Sequence, residues 1–115
     1  MDDLTPAELA ETRAAIDRSV RVPALCFIVS GVAWLLFGSL LALLASLKLH
    51  QPELLGDVAW LTFGRVRPAH LNTVIYGWAS MTAIAVALWL QARLSRVRLP
   101  FPRLLVATAG LWNLA

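Results

Sequence analysis

The sequence predicts an all-α integral membrane protein, with two complete transmembrane helices and a third that the end of the chain leaves incomplete. Three observations predict this. Of the 115 residues, 59% are hydrophobic and only 15% are charged, against roughly 45–50% and about 25% in soluble domains. Two long stretches, Val22 to Leu47 and Ala69 to Ala92, contain no formally charged residue, and a spanning helix needs about 20 apolar residues. The arginines gather at the ends of these runs, where they would meet lipid headgroups and set topology. The net charge of +3 is therefore no sign of nucleic-acid binding. Membrane lipid is the expected partner, and no nucleic acid is.

Residues 1–21 form a polar leader. Its Thr5-Pro-Ala-Glu opening reads as a helix cap, a proline at the first helical position and an acid in the first turn. A short helix is expected to follow, lying in water or along the headgroups. The leader lacks a small-residue cleavage site, and the first apolar run is too long for a signal peptide, so that run is expected to stay as an anchor.

The first span is expected over residues 22–47. Its Ser30, Gly31, Gly38 and Ser39 are small enough to let another helix approach closely. Residues 48–68 read as a loop, with His50 solvated and Val58 to Phe63 as a short interfacial segment around Trp60. The second span is expected over 69–92, followed by a short loop crowded with Arg93, Arg96, Arg98 and Arg103. The third apolar run, 104–115, has 12 residues. As a helix that is about 18 Å, short of a hydrocarbon core of about 30 Å. Cys26 is the only cysteine and lies in an apolar run, which excludes a disulfide framework or a thiolate metal site within this chain.

Charge counting gives an orientation. With the N-terminus cytoplasmic, the leader and the arginine-rich loop place seven basic residues inside, and the 48–68 loop leaves three outside. The positive-inside rule therefore favours a multi-pass protein with a cytoplasmic N-terminus. His70, at the start of the second span, then lies near the outer face.

The stretch that carries chemistry is Phe63-Gly-Arg-Val-Arg-Pro-Ala-His-Leu-Asn-Thr-Val-Ile-Tyr-Gly-Trp78. It sets His70 about one turn inside an apolar helix, with Arg65, Arg67 and Pro68 just before it. Ionisable residues in a span are costly and point to function. A neutral imidazole can bind a metal such as haem iron through one nitrogen while the other donates to a neighbour. Arg65 and Arg67 could hold a haem propionate in the bidentate way that lysine cannot. The alternative is that His70 and the arginines simply anchor the helix at the headgroups. Asn72, Thr73, Tyr76 and the five tryptophans are assigned to packing or the interface.

The motif Phe-Gly-Arg-Val-Arg-Pro-Ala-His-Leu-Asn-Thr-Val-Ile-Tyr, residues 63–76, resembles the start of the second transmembrane helix in catalytic subunit I of cbb-type cytochrome c oxidases, members of the haem–copper oxidase superfamily. The pattern there is close to F-G-R-x-R-P-x-H-x-N-x-V-I-F/Y. The resemblance runs from the first span onward and includes the helix that contains Trp112 and Asn113.

The resemblance implies that this chain is the N-terminal portion of a subunit of the twelve-helix type in a bacterial inner membrane. His70 would be one axial ligand of the low-spin haem b, with Arg65 and Arg67 as looser candidates for propionate or interface contacts. The complete subunit would also hold a high-spin haem and copper, reduce dioxygen to water and translocate protons. Its partners would be the rest of subunit I, other oxidase subunits and cytochrome c as electron donor. None of the copper ligands maps here, so the segment is not expected to be catalytic alone.

Nitric oxide reductase catalytic subunits share an Arg-x-x-His-x-Asn pattern; the paired arginines favour the oxidase. A small haem-b carrier would need a second histidine in an opposing helix, and the only other one, His50, lies in a loop. A non-catalytic anchor or assembly protein remains as the reading from another class.

Overall fold

A computed structural model describes residues 5–114. Residues 1–4 of the expected leader and Ala115 of the third apolar run lie outside the described residues. The elements are α1 (Pro6–His50), a 3-10 turn (Ala59–Leu61), α2 (Phe63–Asn72), a π-helical stretch (Thr73–Ala79), α3 (Ser80–Ser95) and α4 (Pro102–Leu114). The described residues contain no strand, in keeping with the all-α class.

Helix α1 begins where its capping chemistry dictates. The Glu8 amide donates to the Thr5 hydroxyl at 3.4 Å, and the Thr5 amide donates back to the Glu8 carboxylate at 2.8 Å. The Thr5 hydroxyl also donates to that carboxylate, at 2.7 Å. This is a capping box, which satisfies amides that have no partner inside the helix. The Thr5 hydroxyl, and then its amide, hold the Glu8 carboxyl below the usual carboxylate range.

The leader and the first apolar run form one continuous helix of 45 residues. Alanine, glutamate and arginine all propagate a helix well, and the proline inside the helix, Pro23, removes one backbone bond without ending it. The boundary near residue 21 is therefore a change of polarity rather than of conformation. At 1.5 Å per residue α1 is about 68 Å long, more than twice the hydrocarbon thickness of about 30 Å. Both α1 and the continuous helical run Phe63–Ser95 are long and apolar enough to cross a membrane.

Two compact units divide the chain. Among the described residues, one comprises residues 5–29 together with 81–114; the other is Ser30–Ser80. In the first, Ile16 and Val20 of the leader are buried with Ala92 and Leu99, and Ala24, Leu88 and Leu105 pack against them. A second cluster joins Phe27, Met81, Ala85 and Ala109. One face of the leader is thus packed against protein, not only against water or headgroups.

Polar links in this unit reinforce the packing. Arg93 grips Asp17 with two hydrogen bonds, of 2.7 and 2.9 Å, and lies 5.6 Å from the ring centroid of Trp89. The Ser19 hydroxyl donates to the Ile16 carbonyl at 2.6 Å and accepts the Leu99 amide at 3.0 Å. Helix α3 ends in a Schellman arrangement. The Val97 amide reaches the Ala92 carbonyl, the Arg96 amide reaches Arg93, and Arg96 takes φ 52° where glycine is usual.

In the second unit α1 continues past the expected end of the span, through Lys48 to His50. Lys48, expected in the loop, sits in the last helical turn at 5% exposure and donates to the Leu54 carbonyl. There its charge faces the negative end of the helix dipole. Of the Val58–Phe63 segment, Ala59–Leu61 form the 3-10 turn and Phe63 already opens α2.

Candidate functional site

Within the Ser30–Ser80 unit, the second half of α1 runs against α2 and the π-helical stretch, and small residues set the separation. A Cβ added to Gly77 would fall 2.6 Å from both Cβ and Cγ of Trp34. One added to Gly38 would meet Val74 at 3.2 Å and Thr73 at 3.3 Å. Gly38 and Gly77 are both buried. The Gly77 contact leaves no room for a Cβ and the Gly38 contact is tight, so the two backbones approach as small-residue interfaces in membranes allow.

That approach brings His70 to α1. Its Nδ1 lies 2.8 Å from the Gly38 carbonyl oxygen, and the ring is half-buried. A carbonyl can only accept, so Nδ1 carries the proton. In the neutral imidazole Nε2 then keeps its lone pair. This is the arrangement that orients metal-bound histidines, with one ring nitrogen donating to a fixed acceptor and the other left for the metal.

The backbone changes directly after His70. The Thr73 amide is shared between the Ala69 and His70 carbonyls, and its hydroxyl donates to Ala69 at 2.6 Å. The turn then widens into the π-helix, which closes where the Ser80 amide and hydroxyl both reach the Ile75 carbonyl. Such stretches cost hydrogen-bond quality and are frequent beside functional groups. Pro68 lies inside α2 and cannot donate to Gly64.

All three residues singled out in the sequence stand on α2. Arg67 is three positions before His70, a neighbouring place on the helix surface. Arg65 is exposed, and its guanidinium lies 5.0 Å from the Trp60 ring centroid. At that distance the cation is attracted by the face of the indole ring. His50 is exposed at the end of α1, with Nδ1 3.1 Å from the Ser46 carbonyl. It does not join His70 in a common site. The residue that sequence reasoning missed is Gly38 as a hydrogen-bond acceptor. Its smallness was legible, but a backbone carbonyl leaves no side-chain signature.

Residues 22–115 match the family model of cytochrome c and quinol oxidase polypeptide I. The chain belongs to this family. Among curated relatives, a cytochrome c oxidase subunit 1 homolog from Bradyrhizobium diazoefficiens is 35% identical over 66 residues, covering 57% of this chain and 12% of the relative. A cytochrome c oxidase subunit 1 homolog from Azorhizobium caulinodans is 32% identical over 68 residues, 59% of this chain and 12% of the relative. The Cbb3-type cytochrome c oxidase subunit CcoN1 of Stutzerimonas stutzeri is 31% identical over 88 residues, 76% of this chain and 19% of the relative. The chain thus spans less than a fifth of the length of these relatives. No solved structure matches it. Membership in the polypeptide I family agrees with the two helices of spanning length, and the chain is a membrane protein.

Proposed function

We propose that this member of the polypeptide I family is a segment of the catalytic subunit of a cbb-type cytochrome c oxidase, a terminal oxidase that reduces dioxygen to water with proton translocation. In this reading His70 supplies one axial ligand of the low-spin haem b through Nε2. The observation that carries it is the 2.8 Å hydrogen bond from His70 Nδ1 to the Gly38 carbonyl, which leaves the other ring nitrogen able to bind iron. The three relatives reported above carry oxidase names, which favours the oxidase over a nitric oxide reductase.

When bound, the haem supplies a one-electron redox couple whose potential depends on its ligands and their hydrogen bonds. The chain's own contribution is to hold that ligand. The Gly38 carbonyl restrains ring rotation and fixes the tautomer that leaves Nε2 for the iron. The close contacts at Gly38 and Gly77 keep the carbonyl in place. Arg65 and Arg67 would offer guanidinium edges to the propionate carboxylates. A high-spin haem and copper complete the reading for the whole subunit, on residues other than those described here. The rest of subunit I, other oxidase subunits and cytochrome c are its partners. The charge count favours a cytoplasmic N-terminus in a bacterial inner membrane, with His70 on the side where an extracytoplasmic electron donor would act.

The test is a reduced-minus-oxidised absorbance spectrum of membranes holding the complete subunit, in wild type and His70→Ala. A low-spin b-type signal that disappears in the variant, while the protein stays in the membrane, supports the axial role. An unchanged low-spin signal rules it out.

A further inference from the structure

We propose that the groove between the leader part of α1 and the start of α4 binds one acidic phospholipid, with Arg18 and Arg103 on its phosphate. The groove has a volume of about 440 Å3 and is lined by Arg18, Ser19, Val22, Pro102, Arg103 and Val106. It lies wholly within the first unit and is independent of the haem reading.

Charge complementarity selects the occupant. Two guanidiniums and no carboxylate line the groove. The nearest acid along α1, Asp17, is already held by two hydrogen bonds from Arg93. Among the described residues neither Arg18 nor Arg103 has an ion-pair partner. The Ser19 hydroxyl is committed to Ile16 and Leu99, so an anion in the groove falls to the arginines. Helix α4 starts at Pro102, and the positive end of its dipole adds to the same field.

The remaining walls, from Val22, Val106 and Pro102, are apolar and suit an acyl chain rather than a free anion. Val22 opens the apolar run of α1 and Val106 lies one turn into that of α4, so the groove passes from the charged layer into the hydrocarbon layer. Guanidiniums bind phosphate oxygens in a bidentate manner, and basic pockets between spanning helices are established places for anionic headgroups.

The experiment uses the complete protein in neutral detergent, titrated with dioleoyl phosphatidylglycerol, dioleoyl phosphatidylcholine or inorganic phosphate, with the thermal unfolding midpoint as readout. Phosphatidylglycerol should raise the midpoint at lower concentration than phosphatidylcholine. Arg18→Gln and Arg103→Gln should each weaken that effect about fivefold. Arg98→Gln, in the loop just before α4 and outside the groove, should leave it unchanged. Equal effects of the two lipids would overturn the proposal. So would an Arg98→Gln loss as large as the others, or an equal response to inorganic phosphate. Should the groove variants fail to fold, the lipid preference of the wild type decides: about fivefold or more for phosphatidylglycerol supports the site, and none refutes it.

Discussion

His70 and Gly38 stand 32 positions apart in the chain, yet Nδ1 of one meets the carbonyl of the other at 2.8 Å. The contact depends on a residue without a side chain. A larger residue at position 38 would press on Val74 and Thr73 and move the carbonyl that sets the histidine tautomer.

The glycines of this interface should differ sharply from glycines elsewhere. Gly77→Ala forces a methyl to within 2.6 Å of Trp34 and should destabilise the protein by about 1–3 kcal/mol, as overpacking does. Gly38→Ala asks its neighbours to give only a few tenths of an ångström and should cost less. Gly110→Ala meets nothing within 4 Å and should be neutral or stabilising by up to about 1 kcal/mol. Denaturation midpoints in detergent check the order, and a Gly77→Ala variant as stable as Gly110→Ala would refute the close approach.

Arg67 stands one helical turn before His70. If it serves the haem propionates, Arg67→Leu should lower the midpoint potential of the low-spin haem, because removing a nearby positive charge favours the oxidised form. Redox titration of the complete subunit measures this. An unchanged potential would leave Arg67 as a headgroup anchor.

The start of α1 should depend on pH in a defined direction. The Thr5 hydroxyl and amide favour the charged form of Glu8 and lower its pKa in the folded helix. The stabilisation is therefore complete above the ordinary glutamate pKa and is lost as pH falls through the lowered folded value. Amide protection over residues 7–10, relative to the intrinsic exchange rate at each pH, should fall in acid for wild type. Thr5→Ala should show low protection at all pH values, and a wild-type protection that does not change with pH would contradict the capping box.

The Asp17–Arg93 pair is bidentate but roughly two-fifths exposed on each side. Solvent screening then limits its coupling to about 0.2–1 kcal/mol. A double-mutant cycle with Asp17→Asn and Arg93→Gln should return a value in this range that shrinks with added salt. A larger coupling that is insensitive to salt would mean that the pair is shielded in the membrane.

Much of this was legible in the sequence because the signals are local. Uncharged runs point to spans through the cost of charge in hydrocarbon, and the two helical runs long and apolar enough to cross a membrane, Pro6–His50 and Phe63–Ser95, contain the uncharged stretches 22–47 and 69–92. The Thr5-Pro-Ala-Glu cap depends on four consecutive residues, and it closes as those residues dictate. The 63–76 motif pointed to the family that residues 22–115 match.

Other features had no local signal. The leader merges into α1 because helix propensity continues across a boundary where only polarity changes. Lys48 is buried because Leu54 returns to its ammonium, a contact that the loop's composition does not encode. By itself the sequence determined the all-helical membrane class, the family and the histidine worth watching, since residue chemistry and spacing carry that information. Only the tertiary structure decided which nitrogen of His70 is protonated, because that depends on a backbone carbonyl brought within 2.8 Å by two glycines whose role is to occupy almost no space.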